Sequence, residues 1–123
     1  MNGEEIAVKT NTYVSIEQLC DTLCAALEGG STYWCASCIP ERYPEGIEWA
    51  HEAIAMCVPF EFGAFEDTER TKVDNSKQRM SDALQYMADL YPHEFASMVD
   101  DNGDANTGDL LFQIICFGEV VYG

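Results

Sequence analysis

The sequence predicts an α+β fold, a helical majority with a small antiparallel sheet, and three observations carry that prediction. Apolar residues recur at helical spacing behind recognisable caps in several stretches. Phe60 to Val73 instead alternates aromatic and turn residues. Hydrophobic residues make up 47% of 123, enough to bury one core without disulfide or metal staples. The whole chain, 1–123, reads as a single acidic globular domain, with no repeat, low-complexity tract or linker.

Glu5 to Lys9 and Thr12 to Val14 are short and partly β-branched, the composition of an edge strand. Ser15 then serves as an N-cap, with Gln18 completing a capping box. Ile16, Leu19, Cys20, Leu23 and Leu27 follow on one helical face, and Gly29-Gly30 stops it. Ser31 to Ile39 is aromatic and extended. Pro44 and Glu45 start a second helix carrying Ile47, Ala50, Ile54 and Cys57, which ends near Val58 because Pro59 follows. Phe60, Phe62 and Phe65, with Gly63 between them, and then Thr68 to Val73 read as a hairpin or two short strands. Asn75 or Ser76 caps a third helix with the stripe Met80, Ala83, Leu84, Met87, Leu90 and Tyr91. Pro92 breaks that helix, and His93 to Val99 makes a shorter one. Leu110 to Phe117 is apolar nearly all round; Thr107 as an N-cap selects helix over core strand.

Charge narrows the function. The chain has 22 acidic against 6 basic residues, a formal net charge of -16. Such a surface repels nucleic-acid phosphates and anionic membranes and attracts basic proteins, so neither direct nucleic-acid binding nor a membrane partner is expected. Met80 to Gly123 and Tyr43 to Glu69 contain no Lys or Arg, whereas Arg70, Lys72, Lys77 and Arg79 fall in one short segment. Halophilic acidity normally comes with depleted large hydrophobics, which is not the composition here. The opening residues lack a basic region followed by an apolar one, and the longest apolar run is too short for a bilayer. A cytoplasmic location is therefore expected, and the six cysteines read as thiols.

Motifs that would carry chemistry are incomplete. Trp34-Cys35-Ala36-Ser37-Cys38 matches a WCxxC redox pattern, but that chemistry needs the first Cys at a helix N-terminus, and Pro40 follows too soon. Cys20, Cys24, Cys35 and Cys38 could supply four thiolates to zinc, although Cys20 continues an apolar helix face. Asp100 to Asp109 has the composition of a calcium loop, but Ala105 stands where its glycine belongs and Leu111 where its glutamate belongs. His51-Glu52 begins an HExxH string that Ala55 fails to complete. No cofactor and no catalytic residue is expected.

Ala26 to Cys35 (ALEGGSTYWC) and Gly108 to Gly123 (GDLLFQIICFGEVVYG), together with Tyr91-Pro92-His93-x-Phe95, resemble a group of small phage and prophage proteins. The resemblance covers both ends and the third helix and leaves 39–75 weakly matched. It implies a small accessory protein encoded by a bacteriophage or mobile element and carries over no catalytic residue. In that setting, acidity suggests an inhibitor that occupies the basic surface of a host nucleic-acid enzyme, an anti-CRISPR protein or DNA mimic directed at a CRISPR effector or another nuclease. The expected contact residues are Asp100, Asp101, Asp104 and Asp109, then Glu61, Glu66, Asp67 and Glu69. Two other functions compete: a phage structural, assembly or replication accessory, and a thiol- or zinc-dependent protein using Cys35 and Cys38.

Overall fold

The apolar run that ends in Phe117 is a helix, and the rest of the chain is arranged to bury it. A computed structural model describes Ile6 and residues 11–123. Helix α1 (Ile16–Ala25) continues into a π-helical turn (Ala26–Gly30), followed by β1 (Cys35–Pro40), α2 (Ala50–Ala55), β2 (Phe60–Ala64) and β3 (Thr71–Val73). Helices α3 (Lys77–Leu90), α4 (Pro92–Val99) and α5 (Ala105–Phe117) complete the order. The fold is α+β, as the sequence predicts. Among the described residues no helix is long and apolar enough to cross a membrane.

Helix α5 is the axis. Leu111, Phe112, Ile114, Ile115 and Cys116 are buried, and the helix packs on α1, the π-helical turn, α3 and α4. Two glycines set how closely it approaches. A Cβ on Gly108 would lie 2.5 Å from the Thr22 carbonyl oxygen and 2.7 Å from the Ala26 nitrogen. One on Gly30 would lie 2.1 Å from the Ala105 oxygen. Backbone therefore meets backbone, and no side chain fits between. The predicted helix stop at Gly29-Gly30 thus works by a different route. The chain leaves through a π turn closed by Ser31 N–H on the Ala26 carbonyl (2.8 Å), and Gly30 is needed for contact with α5.

The sheet has the order β1-β2-β3, antiparallel throughout. Phe60, Phe62, Ala64 and Val73 face the core, where Phe60 and Trp34 stack on Phe112. Ile39, Glu61 and Lys72 are aligned across the outer face.

Three expectations are corrected. Thr12 to Val14 forms no strand, having no cross-strand partner among the described residues; Glu5 to Lys9, apart from Ile6, lies outside them. Helix α2 starts at Ala50 rather than Pro44. The chain first reverses through Ile47 N–H on the Pro44 carbonyl (2.9 Å) with Gly46 at φ 82°, a turn no right-handed helix accommodates. Its far end lies where expected, clamped by buried Asn75, whose amide donates to the Ile54 and Val58 carbonyls at 3.0 and 2.9 Å. Finally, Asp104, not Thr107, caps α5. Thr107 stands three residues inside, and its hydroxyl oxygen accepts from the Asp104 N–H, closing a capping box. The Ser15–Gln18 box of α1 and the Ser76 cap of α3 form as predicted.

Candidate functional site

Of the eight acidic residues predicted to contact a partner, one is not on the surface. Asp109 is 5% exposed. It lies near the start of α5, facing the turn that leads into β1. One carboxylate oxygen accepts from the Ser31 hydroxyl and the Trp34 indole, both at 2.8 Å. The other accepts from the Tyr33 hydroxyl at 2.7 Å and the Gln113 amide at 3.0 Å. A buried charge needs such compensation, and here four neutral donors supply it. Burial and the bond to Asp109 push the Tyr33 phenol up to about 12. Asp109 therefore belongs to the fold and is withdrawn from the contact set.

Gln113 extends the network. Its carbonyl oxygen accepts from the Val121 and Tyr122 N–H groups, both at 2.8 Å, which lays the last residues back along α5. Tyr122 then stacks on Trp34 at 5.1 Å. The segments ALEGGSTYWC and GDLLFQIICFGEVVYG thus meet around one carboxylate.

The other seven acids fall into two groups on different elements. Asp100, Asp101 and Asp104 occupy the exposed α4–α5 turn. Asp101 adopts φ 60°, and Gln18 of α1 holds the turn by donating to the Val99 carbonyl at 2.9 Å. The N–H and hydroxyl of Thr107 bond the Asp104 carboxylate and hold it below the usual carboxylate range. In the second group, Glu66, Asp67 and Glu69 are exposed on the β2–β3 connection, and Glu66 accepts from the Tyr122 hydroxyl. Glu61 is less available, being half-buried and directly across from Lys72.

Sequence reasoning missed the acids of α1 and α2. Asp21 shares a small recess with Asp101, and Glu17 and Glu52 stand on the same side, near enough with Asp21 to push the Cys20 thiol up, although burial is the larger cause. The spacing of Glu17 and Asp21, one helical turn apart and away from the buried Leu19 and Leu23, carried that signal.

Two of the bases, Arg79 and Arg42, make bonds within the chain, while Arg70, Lys72 and Lys77 are exposed. Arg79 donates to the Ile115 and Cys116 carbonyls at 2.9 and 3.2 Å, so a guanidinium from α3 satisfies the C-terminal end of α5. Arg42 pairs with adjacent Glu41 at 3.2 Å, and Arg79 approaches Asp74 at 3.9 Å. Among the described residues these are the two ion pairs.

The four thiols considered for zinc lie on two elements. Cys20 and Cys24 are on α1; Cys35 and Cys38 are on β1, with Cys35 opening a strand rather than a helix. Burial pushes the Cys35 thiol up and the Cys38 thiol up to about 12, against nucleophilic activation. Among the described residues no group of three or more His, Cys, Asp or Glu side chains is placed to hold a metal ion.

No protein-family model, curated protein or solved structure matches this chain.

Proposed function

We propose that this chain is an acidic binding protein of the phage type, which inhibits a host nucleic-acid-handling enzyme by covering its basic surface. The target class is a CRISPR effector or another nuclease. The observation that carries the reading is the disposition of charge. The acids of the α4–α5 turn and the β2–β3 connection are exposed, and among the described residues none of them forms an ion pair, even though Arg70 follows Glu69 in the same connection; Arg79 is engaged at the end of α5. Exposed carboxylates held on capped, fixed elements suit the lysines and arginines that line a phosphate-binding channel. The partner's cations would gain charge-assisted bonds, and the two molecules would be steered together over longer range.

The test is charge reversal of Asp100, Asp101, Glu66 and Asp67 together, followed by nuclease inhibition and capture of effectors from a host carrying nucleic-acid-based defences. Loss of capture with retained folding is expected. Unchanged inhibition by the reversed protein would refute the electrostatic mechanism. Capture of phage particle or replication proteins instead would favour the assembly role.

A further inference from the structure

Trp49 is 59% exposed, whereas the other tryptophan, Trp34, is 3% exposed. Exposure alone does not single Trp49 out, since Tyr13 and Phe65 are more exposed, but Trp49 stands on a loop that is built rather than loose. The Pro44–Ile47 turn fixes its entry, and the Glu52 side chain accepts from the Trp49 N–H at 3.2 Å as α2 begins. Tyr43, in the same loop, is 49% exposed. The Trp49 ring lies nearly parallel to that of His51, 16° between planes at 6.3 Å between centroids. Exposed Glu45 and Glu48 flank it, and the loop's own cation, Arg42, is taken by Glu41.

We infer that the loop 41–49 is a docking site for an arginine-bearing segment of a basic protein, with the guanidinium stacked on Trp49 and held by Glu45 or Glu48. This rests on the acidic-surface reading and adds a specific anchor to it. Charge complementarity selects the occupant, since a neutral apolar partner would have to bury both glutamates unpaired. Arginine is favoured over lysine because its planar, weakly hydrated cation both stacks and chelates a carboxylate.

The experiment titrates the whole protein with nona-arginine and nona-lysine peptides, following tryptophan emission and calorimetric affinity in parallel. Nona-arginine is expected to bind about fivefold tighter than nona-lysine, with a change in the emission of the exposed tryptophan. Trp49→Ala is expected to abolish that preference and Trp49→Phe to retain part of it. Both variants keep the α2 cap, because the Trp49 backbone makes it. Equal affinity for the two peptides, or a preference that survives Trp49→Ala, overturns the inference and leaves the acidic-surface reading standing. If neither peptide binds, both the inference and the acidic-surface reading are overturned.

Discussion

Asp104 and Asp109 lie five residues apart in one acidic run, and their environments could hardly differ more. Asp104 is exposed and spends its carboxylate on the first turn of α5. Asp109 is buried among four neutral donors and joins the β1 approach, α5 and the returning chain. One aspartate adds to the outward field of the protein, and the other holds the scaffold that presents it. Net charge counts them alike. Only burial separates them.

The largest effect expected from breaking this contrast is at Asp109. Asp109→Ala strands the buried Ser31 hydroxyl and Trp34 indole, while Gln113 keeps the Tyr122 carbonyl and exposed Tyr33 turns to solvent, so denaturant titration should show a loss of about 3–5 kcal/mol. Gly108→Ala comes next. Its methyl group meets backbone at 2.5 Å, and the forced separation of α1 and α5 costs about 2–3 kcal/mol by the same assay. Asp104→Ala removes a cap worth about 1 kcal/mol and leaves the folded structure intact by circular dichroism. Charge reversal of Asp100 or Asp67 is smallest for stability, within about 0.5 kcal/mol, while weakening capture of a basic partner.

Acid and alkali sharpen the same comparison. Asp104 binds its proton less readily in the folded chain than the ordinary value of 3.8, so its contribution is present above that pH and is lost as pH falls through the lowered value. Tyr33 runs the other way. Its folded value is about 12 against an ordinary 10.0, so its contribution is complete below pH 10 and is lost as pH rises to about 12. Tyr33→Phe should cost about 1 kcal/mol at neutral pH by removing one donor to Asp109, and should flatten part of the alkaline decline in stability.

Local chemistry was legible where a short stretch decides it. Ser15 with Gln18, Ser76, Pro59 and Pro92 mark helix ends that the structure reproduces, because caps and proline act within a few residues. The start of α2 was misplaced because Pro44 and Gly46 serve a turn before any helix begins. At α5, both Asp104 and Thr107 can cap, and their reciprocal bonds decide which one does. Asp109 was misread for a deeper reason. Its donors Ser31, Tyr33 and Trp34 lie more than seventy residues away in sequence, and nothing in an acidic run reveals that one member turns inward. Likewise Asp21 joins Asp101 only once α1 and α4 have packed.

The glycine contact between α1 and α5 has a consequence for how the molecule breathes. Where two backbones touch directly, no intervening side chain can change rotamer to let water in, so opening this seam means moving whole helices. Amide hydrogens there, Ala26 above all, are expected to exchange with solvent only through global unfolding, while those of the α4–α5 turn exchange through local fluctuation. A deuterium-exchange map would therefore show the slowest-exchanging seam of the protein running beside its most acidic turn.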